Sequence, residues 1–343
     1  MAWLTAAWCL GAGVALGDPS AAETRYEFEQ VVMAVPIKLI FYAPNSALAT
    51  SASQAAFARL EQLNARMSDY DPQSELCRLS ATSGGGNAVP VSDDLWSVLC
   101  TAQAVSEMSD GAFDVTVGPL VHLWRRARHH HELPPAHKLQ EALKAVGYRN
   151  VRLDPQRHTV ELLKKGMCLD LGGIAKGFAM AEALKVLEKQ GIRAAMVRGG
   201  GDLRLGEPPP NSPGWRIGIS ALDLKTPPTQ YLWLSRCAVS TSGDTWQYVV
   251  IDGKRYSHIV DPHTGLGLTD HSNVTIVGSD SALVDALTKV VSVLGPEKGL
   301  PLIDAQPGMA AFVLRAPEGK IETYRSARWA QLPIAEPGKN SGG

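Results

Sequence analysis

Between Leu169 and Gly177 the chain reads Leu-Asp-Leu-Gly-Gly-Ile-Ala-Lys-Gly: a carboxylate in an apolar stretch, two glycines, then a lysine. Ile174, Phe178, Ala181 and Leu184 follow at three- and four-residue spacing. That period predicts a helix over Ile174–Gln190 with one apolar face. A helix that opens after glycines presents unpaired N–H groups and the positive end of a dipole, which suits a phosphate. Lys176 would add a full positive charge beside such an anion, and Asp170 could accept hydrogen bonds from a nucleotide or help to hold a cation. Strand–glycine–helix junctions also form with no ligand, so this segment alone leaves both readings open.

The rest of the chain mixes strand and helix patterns without a regular βαβ alternation, which predicts the α+β class. Strands are expected over Arg25–Tyr42, as a hairpin over Val151–Leu163, and over Ala194–Val197, Trp215–Ser220, Leu232–Ser240 and Val274–Val277. Ala310–Leu314 reads as the last strand. Helices are expected over Ser51–Met67, Leu95–Met108 and Ala282–Leu294, the last with Leu283, Leu287, Val290 and Leu294 as its buried stripe. Arg125–Pro135 contains three adjacent histidines and reads as a solvated loop, since neighbouring side chains on a loop point apart rather than towards one ion. From Pro333 onward the chain turns rich in Pro, Gly and Ser, the composition of a disordered tail over 333–343.

Composition narrows the partners. Hydrophobic residues make up 45% and charged residues 20% of 343 positions, ordinary values for a globular chain with a large core. A formal net charge of −1 argues against a nucleic-acid binder, which needs a basic face. Met1–Gly17 is apolar and free of charge, and Ala15-Leu16-Gly17 offers small residues before a cleavage point, so we expect a signal peptide and an exported mature chain over 18–332. Cys77, Cys100, Cys168 and Cys237 form no Cys-x-x-Cys pair and read neither as a zinc site nor as a disulfide framework.

Several further motifs occur in a fixed order. Met67-Ser68-Asp69-Tyr70-Asp71-Pro72 and Gly111-Ala112-Phe113-Asp114 precede the glycine junction. Gly199-Gly200-Gly201-Asp202, Thr241-Ser242-Gly243-Asp244 and Tyr256-Ser257-His258-Ile259-Val260-Asp261-Pro262-His263-Thr264-Gly265 follow it, and Asp285-Ala286-Leu287 lies in the late helix. Together, over roughly Met33 to Leu314, these resemble the ApbE family of FAD:protein FMN transferases. The resemblance implies a mixed-sheet, T-fold-like α+β domain. It implies FAD as substrate, cleaved so that FMN passes to a Thr or Ser hydroxyl of an acceptor and AMP is released. The acceptor would be a flavoprotein of a membrane or periplasmic electron-transfer system.

By the same resemblance, Met33, Tyr70, Ala112, Phe113, Asp114 and Ile259 would hold the flavin nucleotide. Tyr70 reads equally as a structural tyrosine after a turn, and Asp114 as a carboxylate closing one. Asp170 and Lys176 would serve the phosphates, supported by glycine turns at Gly200–Gly201 and Thr241–Gly243, although turn formation alone explains each triplet. His258 is the candidate for proton transfer, since an imidazole titrates near neutrality with a pKa of about 6.5. Magnesium would be held by the Gly173 carbonyl, Asp285 and a threonine four residues after it. Here the chain departs from the pattern: residue 289 is lysine, and Thr288 lies one place early. Thr288, three residues from Asp285, shares a helix side with it, while Lys289 could pair with Asp285 and partly replace the cation. A plain ion pair within the helix reads the same way. A second departure is Met33-Ala34-Val35 where many relatives carry Met-Gly-Thr. A FAD pyrophosphatase and a non-catalytic FAD-binding protein share all these residues and remain as alternatives.

Overall fold

The computed structural model describes residues 23–336 except 224, 229 and 246; the expected signal segment and residues 337–343 lie outside the described residues. The chain opens with a hairpin, β1 (Thr24–Val32) and β2 (Val35–Ala43), followed by α1 (Ser46–Met67), α2 (Glu75–Ala81), β3 (Val89–Pro90) and α3 (Asp93–Met108). Next come α4 (Gly118–His130), α5 (Ala136–Lys144), the hairpin β4 (Val151–Asp154) and β5 (Thr159–Leu162), and α6 (Ala175–Lys189). Strands then dominate: β6 (Ala195–Gly199), β7 (Asp202–Leu205), β8 (Trp215–Ile219), β9 (Gln230–Leu234), β10 (Ala238–Gly243), β11 (Tyr248–Ile251) and β12 (Lys254–Ser257). The chain finishes with β13 (Ser272–Gly278), α7 (Ser281–Asp304), β14 (Ala310–Arg315), β15 (Glu322–Arg325) and β16 (Ile334–Ala335).

Eight strands form one sheet in the order β1-β2-β6-β7-β10-β13-β14-β15, with every named pair antiparallel. The α+β class is therefore as expected, and the sheet is antiparallel rather than mixed. Side chains alternate across it. Leu39, Phe41, Val274, Ile276, Ala311 and Val313 face the helical layer of α1, α3, α6 and α7. Ile40, Val277, Ala310, Phe312 and Leu314 face a second core under the small sheet β8-β9-β16. Both strands are covered on both faces, and β14 reads as a nearly continuous apolar run from Ala310 to Leu314, whereas β13 buries Ser272, Asn273 and Thr275 among its apolar residues. A third, separate core joins α4 to the β11–β12 hairpin through Leu120, Trp124, Tyr256 and Val260.

Four expectations are corrected. Arg125–His130 is helical, because the stripe Leu120, Trp124, Ala127 continues through the arginines until His131 takes a left-handed φ of 56° and ends α4. Leu232–Ser240 is two strands in different sheets, divided by a turn in which Arg236 has φ 50°. Ala310–Leu314 is followed by β15 and β16. Chain order extends past Pro333, since Ile334 and Ala335 pair with β9.

The β1–β2 hairpin turns on two residues, Met33 (φ 54°) and Ala34 (φ 61°). Positive φ at both central positions is the tight-hairpin geometry that favours glycine or asparagine. Alanine pays a steric penalty there. Ala34→Gly is therefore expected to stabilise the protein by about 0.5–1 kcal/mol, read as a higher urea midpoint at unchanged slope.

Candidate active site

The α6 N-terminus lies against the start of α7, and glycine is what permits the approach. A Cβ on Gly177 would fall 2.1 Å from the Ser281 carbonyl oxygen and 2.8 Å from Asp285 Cβ. The closeness brings Asp285, wholly buried, under the first turn of α6, where its Oδ2 accepts a hydrogen bond from the Gly177 N–H at 3.0 Å. The helix start expected to meet a phosphate is thus already bonded at Gly177 to a carboxylate from the chain itself. No side chain of α6's own N-cap residue, Ile174, makes that bond. α7 is buried on more sides than the predicted stripe, because it packs against β10, β13, α6 and α3 together. Asp285 therefore lies in the interior.

Two lysines answer this carboxylate. Lys289, one turn along α7, bonds Asp285 Oδ1 and, at 3.1 Å, the Asp285 carbonyl oxygen. Lys176 Nζ lies 3.9 Å from Asp285 Oδ2, 3.3 Å from Asp202 Oδ2 and 3.1 Å from the Gly172 carbonyl oxygen that accepts its proton. Burial alone would depress the Lys176 ammonium, but the charges of Asp285 and Asp202 outweigh it and hold its pKa above the ordinary value. Burial, and then the nearby Asp285 charge, pushes the Asp202 carboxyl upward. Its Oδ1 accepts the Ser240 hydroxyl proton.

Asp202 reaches this cluster from a glycine turn. Gly200 (φ 59°) and Gly201 (φ 96°) form the two-residue loop between β6 and β7, so this segment is the expected turn. A Cβ on Gly200 would lie 3.2 Å from Val35 Cγ1 and 3.6 Å from the Lys176 stem, so the β1–β2 hairpin tip with Met33 borders the same place. Thr241–Gly243, by contrast, is no turn: it lies within β10, and Gly243 pairs with Asn273.

A second cationic group comes from α4. Arg125 bonds Asp69 Oδ2 and, at 3.1 Å, Asp170 Oδ2, and its guanidinium stands 4.1 Å from the centre of the Tyr70 ring. Asp170 Oδ1 accepts the Gly172 N–H at 2.8 Å, closing the glycine junction. Burial, reinforced by the Asp69 charge, raises the Asp170 pKa. Arg128, one turn on, is pushed below its ordinary value by burial and by Arg125. Tyr70 remains 70% exposed, so an aromatic surface stands open beside these charges. Sequence reasoning missed Arg125 and Arg128 because it placed them in a loop; the Leu120–Trp124–Ala127 spacing was the signal that would have found them.

His258 follows β12. Its Nδ1 stands 3.1 Å from the Gln247 carbonyl oxygen. A carbonyl only accepts, so Nδ1 carries the proton and the neutral ring keeps its lone pair on Nε2. Among the described residues no group bonds Nε2. Desolvation, with the positive charges of Lys289, Lys176 and Arg128, lowers the His258 pKa to about 4. The turn after it is fixed by Asp261, which accepts the His263 N–H at 2.9 Å and the Thr264 hydroxyl at 3.0 Å. Trp124 Nε1 donates to the Gly265 carbonyl at 2.8 Å and ties that turn to α4.

Phe113 is buried and packs at the Gly172–Gly173 turn, where a Cβ on Gly173 would lie 3.1 Å from its ring. Ala112 and Ile259 are buried beside their motifs. Asp114 spends its carboxylate on the chain: Oδ1 accepts the Thr116 N–H and hydroxyl, and Oδ2 accepts the Tyr148 N–H at 2.7 Å. It closes a local turn. Thr288 is also fully buried and its hydroxyl faces Ser242 Oγ at 2.8 Å and the Asp285 carbonyl at 2.6 Å.

The donor set around Asp285 does not fit magnesium. That ion wants near-octahedral oxygen ligands, yet both Asp285 carboxylate oxygens are engaged by N–H donors, two ammonium groups crowd them, and Thr288 is committed elsewhere. Among the described residues no three His, Cys, Asp or Glu side chains gather to hold a metal ion.

The sequence profile of the ApbE family matches residues 33–313. The chain belongs to the ApbE family. It is 33% identical over 316 residues to a Klebsiella pneumoniae protein named FAD:protein FMN transferase, covering 90% of this chain and 95% of the relative. A Treponema pallidum protein of the same name is 30% identical over 339 residues, 92% of this chain and 93% of its own length. Solved ApbE structures share the fold. The Thermotoga maritima ApbE protein superposes with TM-score 0.78 at 30% identity, and the Vibrio cholerae flavin transferase ApbE with 0.80 at 25%. Each comparison covers 90% of this chain and 99% of the other.

Proposed function

We propose that this ApbE-family protein is an FAD:protein FMN transferase that uses FAD as substrate and a flavoprotein as acceptor. The observation that carries the reading is the His258 imidazole, whose Nδ1 stands 3.1 Å from the Gln247 carbonyl oxygen and whose Nε2 has no partner among the described residues, with burial and then the charges of Lys289, Lys176 and Arg128 favouring its neutral form. A diphosphate needs such positive charge, and a hydroxyl nucleophile needs such a base. The exposed Tyr70 ring beside Arg125 offers the flavin a flat partner, worth about 1 kcal/mol beyond area burial.

In the proposed reaction a Thr or Ser hydroxyl of the acceptor attacks the FMN-side phosphorus. The new P–O bond forms as the bond to the bridging oxygen breaks, and AMP departs with that oxygen. The hydroxyl proton passes to His258 Nε2 and from there to solvent. Lys176 and Lys289 offset the charge that gathers on the leaving phosphate. No step is assigned to magnesium. We further propose export and an acceptor in a membrane or periplasmic electron-transfer system, a reading supported by the charge-free apolar run Met1–Gly17.

The test is incubation of the purified protein with FAD and a flavin-acceptor domain, followed by intact-mass analysis and AMP assay. A covalent gain of one FMN with matching AMP is expected. AMP without the gain would make the protein a pyrophosphatase, and intact bound FAD alone would make it a binding protein.

A further inference from the structure

We infer that the Lys289 ammonium is the built-in counter-charge of this site, standing where a divalent cation would otherwise be needed, so that FAD is bound and cleaved without a metal. The inference rests on FAD being the substrate.

Charge counting leads there. The buried cluster holds two carboxylates, Asp202 and Asp285, and two ammonium groups, Lys176 and Lys289. The charges balance. Threonine at position 289 would leave one negative charge uncompensated in the interior, a deficit that a cation would meet. With lysine there, a divalent ion added to the substrate-free site would bring two unbalanced positive charges into a buried place, which is strongly unfavourable.

Geometry agrees with the count. The Lys289 stem runs beside the glycine junction, its Cδ and Cε each 3.7 Å from a Cβ built on Gly173. The lysine therefore runs past the Gly172–Gly173 turn to reach the Asp285 carboxylate. It has three N–H donors, and the bonds to the Asp285 carboxylate and carbonyl use two. The third is available to a phosphate oxygen, as a point charge rather than as an organiser of oxygen ligands. Lysine is tethered, so its positive charge does not depend on the concentration of any metal ion.

The test uses the full-length protein freed of metal with EDTA and desalted. Calorimetry with MgCl2 alone should show no binding. FAD affinity and AMP release should change by less than about threefold between EDTA and millimolar MgCl2. Lys289→Met, which keeps the stem and removes the charge, should weaken FAD binding about tenfold or more, the loss of a charge-assisted hydrogen bond. Lys289→Thr should acquire a magnesium-dependent FAD affinity. A magnesium-binding isotherm for the unaltered protein, or a change of threefold or more on chelation that MgCl2 reverses, overturns the inference. So does wild-type FAD affinity in Lys289→Met. The unaltered protein decides the matter even where a variant fails to fold. An absence of FAD binding under every metal condition would defeat the transferase reading itself, while the MgCl2 titration would still report on the cation.

Discussion

Replacing His258 with alanine is expected to lower FMN transfer by about 10²- to 10⁴-fold while leaving FAD affinity within a small factor of the original. The ring meets the chain through one hydrogen bond, to the Gln247 carbonyl, so its removal leaves few groups unpaired. Single-turnover transfer and flavin-fluorescence binding separate the two effects. The pH profile gives a second check. With its pKa lowered to about 4, His258 in the free protein is neutral, and able to take a proton, at every pH well above that value. Protonation removes the base as pH falls. The acidic limb of kcat/KM, which reports the free enzyme, should therefore lie near pH 4 rather than near the usual histidine value. Bound diphosphate replaces some of the repulsion from Lys289 and Lys176 with attraction, so the acidic limb of kcat should lie higher.

Lys176→Met is expected to cost about 3–5 kcal/mol of stability, because it leaves two buried carboxylates sharing one remaining ammonium. Urea unfolding measures this directly. Burial and the Asp285 charge already raise the Asp202 pKa, and losing the lysine raises it further. A carboxyl whose folded pKa exceeds its unfolded value binds more protons folded than unfolded. The variant's deficit should shrink as pH falls from neutrality, and adding Asp202→Asn should recover part of it at pH 7. A deficit that stays constant with pH would show that the two carboxylates are not coupled through this lysine.

Much of the site was legible in the sequence because its chemistry is carried by short, ordered motifs. The helix after Gly173 emerged where spacing predicts it, the glycines at 200 and 201 form the expected turn, and the histidine motif was legible only through the family resemblance. The meeting of Asp285 with α6 was less legible, since it depends on a helix–helix contact that Gly177 permits and no local pattern reveals. Periodicity placed Asp285 away from the buried stripe of α7, whereas four neighbouring elements enclose that helix. Arg125 and Arg128 were missed for the opposite reason: a run of charges and histidines masked a sound apolar stripe. For Asp114 the sequence leaves a nucleotide contact and a turn-closing carboxylate both open, and in the fold Thr116 and Tyr148 take its oxygens. Lys289 was visible from the outset as a departure. Its meaning needed the charge count that only the fold supplies.

The histidine and the lysines hang from different cores. His258 follows a hairpin glued to α4 by Trp124 and its neighbours, whereas Lys176 and Lys289 belong to helices backed by the large sheet. The reactive centre is therefore a seam between a small apolar module and a large one. Looseness in the small module would shift the proton acceptor relative to Lys176 and Lys289, and Arg125, carried on α4 and bonded to Asp69 and Asp170, is the tie across the seam. Alignment across that seam is therefore expected to govern how often a dinucleotide bound as proposed finds its base in reach.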